Sequence, residues 1–225
     1  MVNRVFEHEE IDIGYTDLVA DTGETGRVYT APDGSNYPSV TTVLSILSED
    51  SIRAWRARVG EDVANQIGHR ASNRGSAVHS IIESYLKNED TTNYLPHVRQ
   101  SLQNLRSILD KSIGKIFGLE VALFSRHLGL AGRCDCIAEF DGVPSIIDFK
   151  TSKRIKKKEN ISSYFAQMSA YAIMFEERTG IPITNTVIVM DVDNEHPLLF
   201  KEHRDNYVPL LLDTKKEYDR RKLFS

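Results

Sequence analysis

The spacing of apolar positions changes repeatedly along the chain, and each change predicts an element. Residues 1–26 are polar and weakly patterned, which predicts irregular chain with one short strand near Arg4 to Phe6. Val28-Tyr29-Thr30 and Ser35-Asn36-Tyr37 are then split by Ala31-Pro32-Asp33-Gly34. Pro-Asp-Gly between β-formers is turn chemistry and predicts a hairpin. Ser39 is placed to cap a helix in which Val40, Val43, Leu44 and Leu47 recur at helical spacing. The stretch from Glu49 to Glu89 is helical and charged, with breaks predicted near Gly60 and Gly68 and a fresh helix from about Arg74. Ala77, Val78, Ile81, Ile82 and Tyr85 form the apolar face of that helix. Pro96 opens another, periodic at Val98, Leu102, Leu105 and Leu109, which ends by Gly114.

Beyond residue 114 the pattern turns to strands. Ile116–Ser125 reads as one, and Ala131–Phe140 and Val143–Lys150 as a hairpin around the turn dipeptide Asp141-Gly142. A helix over 161–179 ends at Gly180, with Pro182 just beyond. Thr184–Val192 predicts a strand, Pro197–Lys201 its edge partner, and Arg204–Leu223 a closing amphipathic helix. The fold expected is α/β (α+β): a mixed sheet flanked by helices, with a helical lobe in front. A hairpin region 1–38, a helical lobe 39–113 and an α/β core 114–225 are expected to form a single domain.

Composition narrows the chemistry only a little. The 225 residues carry 28 basic and 32 acidic side chains, a formal charge of −4, so recognition of a polyanion must come from local charge. The two cysteines, Cys134 and Cys136, straddle an aspartate on a predicted strand, which suits reduced core thiols better than a disulfide. The opening MVNRVFEHEEIDIG has neither a signal-peptide core nor an Arg-rich amphipathic pattern, and no apolar run reaches membrane-spanning length. A cytoplasmic protein without membrane contact is expected, in the host cytoplasm if the chain is viral.

The candidate chemistry lies in GRCDCIAEFDGVPSIIDFKTS, residues 132–152. Strand alternation puts Asp148 and Lys150 on one face with Phe149 on the other, and puts Cys134 and Cys136 together behind Asp135. Paired carboxylates and a lysine beside apolar strand are costly to bury without a purpose. A divalent cation supplies one, since hard cations prefer oxygen ligands. Asp213-Thr214-Lys215 has the same acidic-x-lysine spacing but falls in a helical pattern, where residues two apart diverge. Strand context therefore makes the site. Lys153, Arg154, Lys156, Lys157 and Lys158 follow at once and suit a polyanion beside the carboxylates. Arg53, Arg56 and Arg58 around Trp55 read either as a strand grip with a stacking ring or as solvated arginines around a core Trp. His79 and Glu83, four apart on one helix, read alone as surface or hydrogen-bonded residues.

Asp135, then Asp148-Phe149-Lys150, then a helix carrying Gln167 and Tyr171, resembles the PD-(D/E)XK nuclease superfamily in its RecB-like branch. YPSVTTVLS, the GSAVH helix, GRCDCIAEFDG and IIDFKTS together are similar to the mitochondrial genome maintenance exonuclease family and its phage relatives, over about residues 37–220. The resemblance implies a restriction-endonuclease-like core. It implies that Asp135 and Asp148 hold Mg2+ or Mn2+ with the Phe149 carbonyl assisting, and that Lys150 orients the attacking water. It also brings in His79 as a metal or water contact, Gln167 and Tyr171 as cleft residues, and Glu120 as a further ligand.

Departures matter too. Two cysteines exclude a four-cysteine iron–sulfur cluster, and no G-x-x-x-x-G-K-[ST] loop is present, so no ATP chemistry is expected. The mitochondrial relatives begin with a targeting segment that this sequence lacks, which favours a phage or bacterial member. The reading is a metal-dependent DNA exonuclease acting on single-stranded ends in replication, repair or recombination. The alternatives are a duplex 5′ exonuclease of the recombination type or an endonuclease, a catalytically silent nucleic-acid-binding module, and a hydrolase of small phosphate esters.

Overall fold

The computed structural model describes residues 4–223. The chain begins with β1 (Val19–Gly23), β2 (Gly26–Thr30) and β3 (Asn36–Pro38), a small antiparallel sheet, followed by α1 (Val40–Leu44), α2 (Glu49–Val59), α3 (Glu61–Leu86) and α4 (Pro96–Ser112). Then come β4 (Ile113–Ser125), β5 (Leu130–Phe140) and β6 (Val143–Ser152), α5 (Ser162–Thr179), β7 (Asn185–Val192), β8 (Leu198–His203) and α6 (Val208–Leu223). The second sheet has the order β4-β5-β6-β7-β8. Only β6 and β7 run parallel in it, and α5 is the crossover that a parallel pair requires.

Each face of that sheet buries its own core. On one side α1, α5 and α6 cover Leu123, Ile137, Ile146, Ile188 and Met190. On the other, α3 and α4 cover Ile113, Ile116, Ala138, Phe140, Ile147, Phe149 and Val187. The helices of residues 39–113 thus divide between the two faces: α1 packs against α5, α3 and α4 against the opposite side. A third cluster, Leu18, Tyr29, Ala31, Ala122, Phe124 and Ala131, seats the small sheet on β4 and β5.

Most predicted elements are present, and the differences have physical causes. Ser39 caps α1 through its hydroxyl, which accepts from the Thr42 amide. Gly60, at φ 88°, does separate α2 from α3, but α3 runs unbroken past Gly68. A helical glycine costs only about 1 kcal/mol, which the buried Val78, Ile81 and Ile82 of the same helix outweigh. Arg4 to Phe6 is not a strand. Phe6 is a buried plug whose backbone N–H and C=O are both bonded by the Asn88 side chain. β1 was not legible because all five of its residues are exposed: β2 pairing, not burial, holds it. Trp55 is neither core nor open surface; it is half-buried on α2, a helix with no buried side chain.

Candidate metal centre and nucleic-acid cleft

The site forms where two strands part. β5 and β6 pair from Phe140↔Val143 up to Cys136↔Ile147, and the ladder ends there. One step further, Asp135 substitutes its side chain for the missing backbone partner: its Oδ2 accepts the Phe149 N–H at 2.9 Å. The contact with Phe149 is therefore through the amide nitrogen. The two cysteines do not share a face, as strict alternation would have it. Both are fully buried, but Cys134 packs in the α5-side core and Cys136 in the α3-side core. Burial pushes both thiols up, so both stay protonated.

Opposite Asp135, β4 carries Glu120, since Leu119 faces Cys136 and Val121 faces Cys134. From α3, His79 points Nδ1 at Asp135 Oδ2, 3.4 Å away. Ligand atoms of His79, Glu120 and Asp135 all lie within 4.8 Å of one another. One imidazole and two carboxylates at this spacing form a donor set for a divalent cation. Burial, with the charges of Asp135 and Glu83 adding to it, pushes the Glu120 carboxyl up to about 7. A cation among these groups would relieve that repulsion.

Asp148 lies behind this trio. It is 2% exposed, its Oδ1 accepts from Gln167 Nε2 at 3.2 Å, and its Oδ2 lies 2.5 Å from Lys150 Nζ. That Oδ2 has the Lys150 ammonium as its close ionic neighbour and no further hydrogen-bond partner among the described residues. A buried carboxylate oxygen with a spare lone pair beside Asp135 is a further fit to a cation. Burial pushes Asp148 up to about 6, against the pull of Lys150. Burial alone would lower the Lys150 ammonium, but the charges of Asp148 and Asp135 outweigh it and hold the lysine protonated.

α5 supplies the remaining wall. Gln167 Nε2 also reaches the Tyr171 hydroxyl at 3.4 Å. Tyr171 lies against β5 because residue 132 is glycine: a Cβ there would stand 2.7 Å from the ring. The Tyr164 ring lies one turn earlier, with Lys150 Nζ 5.1 Å from its centroid.

Together these groups line a cleft of about 440 Å³ that includes His79, Glu120, Asp135, Lys150, Gln167 and Tyr171. Sequence reasoning gave no place in the site to the other residues here. They are Arg27 and Tyr29 from β2, Ser39 and Thr41 at α1, Gly75, Ser76, Ser80 and Glu83 along α3, and Arg133 on β5. The signals for them were the helical spacing 76-79-80-83 and the stretches YPSVTTVLS, GSAVH and GRCDC, which hold Ser39, Thr41, Gly75, Ser76 and Arg133. The basic run sits outside. Lys153, Arg154, Lys156 and Lys157 are exposed beyond β6, while Lys158 pairs with Glu202. Arg53 pairs with Glu49 and Asp50 on α2, and neither it nor Trp55 lines the cleft. Among the described residues no helix is long and apolar enough to cross a membrane.

The chain is similar to known proteins over part of its length. The chain is 28% identical over 130 residues to mitochondrial genome maintenance exonuclease 1 of Homo sapiens, covering 53% of this chain and 38% of that protein. It is 30% identical over 132 residues to the same protein of Mus musculus, covering 54% and 39%. The match thus spans under half the length of these relatives. A solved chain from Eubacterium rectale, provisionally described as an exonuclease, aligns over 67% of this chain and 66% of its own at 14% identity and a TM-score of 0.47. Residues 98–202 match the PD-(D/E)XK nuclease superfamily, a span that begins past His79 and holds β4 to β7 with their carboxylates, Lys150 and α5. Over that span, just under half of the chain, the sequence matches the PD-(D/E)XK nuclease superfamily, and the five-stranded mixed sheet flanked by helices accords with that match.

Proposed function

We propose that this chain is a divalent-metal-dependent DNA exonuclease that hydrolyses phosphodiester bonds from single-stranded ends, in phage or bacterial DNA replication, repair or recombination. The observation that carries it is the meeting of His79, Glu120 and Asp135 within 4.8 Å in front of the Asp148–Lys150 pair. Mg2+ or Mn2+ would be held by Asp135, Glu120 and His79, with Asp148 behind them. A bound ion there polarises the phosphoryl oxygen and makes water nucleophilic at neutral pH.

The chain's own groups do the rest. Lys150, kept charged between two carboxylates and the Tyr164 ring, holds the attacking water and steadies negative charge developing on the phosphate. Gln167 fixes one oxygen of Asp148, so the other faces the lysine. Lys153, Arg154, Lys156 and Lys157 take phosphates leading away from the cleft without reading sequence. Exonuclease action is supported by the named activity of the curated relatives. Restriction to single strands is the reading tested below; α3 lines one wall of the cleft with Gly75, Ser76, His79 and Ser80. The regions 1–38, 39–113 and 114–225 act as one catalytic unit, since the site draws on α3, the β4–β6 meander and α5. The cytoplasm is the proposed compartment.

The test compares end-labelled linear single strands, closed circular single strands and blunt duplex in Mg2+. The reading predicts rapid loss of the linear single strand alone. A circle cut as fast as the linear strand would establish endonuclease action, and preferred digestion of duplex would establish the recombination-type alternative.

A further inference from the structure

Glu120 stands in the left-handed region, at φ 52°, inside the strand Ile113–Ser125. An L residue with a long side chain adopts that conformation only at a cost, and no turn requires it here. The kink is local, because Leu119↔Cys136 and Val121↔Cys134 pair on either side of it. Its consequence is that the Glu120 carboxylate reaches the position shared with Asp135 and His79.

One side chain over-determines this conformation. Arg133, on β5, donates from Nη1 to the Glu120 carbonyl at 2.6 Å and from Nη2 to the Asp17 carboxylate at 2.6 Å. Asp17 lies in the segment just before β1, so the guanidinium bridges two separate stretches of chain. Its planar fork can serve both acceptors at a fixed angle, which a lysine ammonium cannot reproduce. Arg133 lines the same cleft, yet both arms are turned to these acceptors rather than to the carboxylates.

We propose that Arg133 is a positioning residue of the metal centre: clamped between the Glu120 carbonyl and Asp17, it holds the kink of β4 and so aims the Glu120 carboxylate at the cation. The assignment rests on the metal-site reading above. Groups that orient a ligand typically change metal affinity by about 10- to 100-fold when removed.

The test is Mn2+ binding to the purified chain, followed by calorimetry, with melting in EDTA as the measure of folding. Arg133→Gln should weaken Mn2+ binding by about 10-fold or more, and Arg133→Lys should restore only part of it. Glu120→Gln should weaken binding as well. The double variant should bind no more weakly than Glu120→Gln alone, since Arg133 acts through Glu120. Wild-type affinity in Arg133→Gln together with a loss in Glu120→Gln would overturn the role of Arg133 and leave the metal site standing. An additive double variant would also overturn it. Wild-type affinity in Glu120→Gln would remove Glu120 from the ligand set and overturn this inference, whereas no Mn2+ binding by the wild-type chain would overturn the metal-site reading. If Arg133→Gln melts far below wild type, Asp17→Ala carries the test by releasing one arm of the clamp. Weakened Mn2+ binding in that variant supports the assignment, and unchanged binding overturns it.

Discussion

The acidic-x-lysine triplet occurs at Asp148-Phe149-Lys150 and again at Asp213-Thr214-Lys215, and the two copies differ in everything but spacing. On β6, alternation turns both charged residues to one face, where Asp148 is buried and Lys150 Nζ lies 2.5 Å from it. On α6, Thr214 is the buried residue of the three, and Lys215 turns away to pair with Asp219 at 2.5 Å. One backbone concentrates charge beside a second carboxylate; the other disperses it along a solvated helix. The same residues gain chemistry only where the strand period aligns them.

The largest expected effects test that difference. Asp148→Ala or Lys150→Ala should lower the cleavage rate by a factor on the order of 10³ or more, while Asp213→Ala and Lys215→Ala leave it unchanged; single-turnover rates on a linear strand decide this. A smaller effect is expected where ligands come from other elements. His79→Ala and Glu120→Gln should each cost about 10- to 100-fold in Mn2+ affinity, read by titration.

The next contrast is in pH dependence. The folded-state pKa of Glu120 is raised from 4.5 to about 7 and that of Asp148 from 3.8 to about 6. The native state therefore binds more protons than the unfolded chain across this window, so metal-free stability falls as pH rises through it. Melting in EDTA should be higher at pH 5 than at pH 8. The difference should shrink in Glu120→Gln, and Mn2+ should restore stability at pH 8. The smallest effect belongs to the rim. Neutralising Lys156 or Lys157 should flatten the salt dependence of single-strand binding by about 0.7 for each phosphate that is no longer neutralised, with little change in the cleavage step.

Much of this was legible in the chain, for identifiable reasons. Period-two and helical spacing located β4 to β8 and α4 to α6 because these elements pack apolar side chains into one or other of the two cores that flank the sheet. Asp135, Asp148 and Lys150 were legible from strand alternation, whereas His79, Gln167 and Tyr171 took meaning only from the family resemblance. Other features depend on events that spacing cannot encode. Cys134 and Cys136 fall in different cores on either side of Asp135, where the β5–β6 ladder has ended. Arg133 and Tyr164 matter through a carbonyl and an ammonium supplied by distant strands. β1 carries no apolar pattern, because it has no buried face.

The central claim is that β6, and not α6, carries a metal-dependent nuclease site. It is tested most directly by incubating an end-labelled single strand with wild type, Lys150→Ala and Lys215→Ala, each with Mg2+ and with EDTA. The account predicts degradation by wild type and Lys215→Ala in Mg2+, none in EDTA, and none by Lys150→Ala under either condition. Cleavage that persists in EDTA, or Lys150→Ala cutting as fast as wild type, would contradict it.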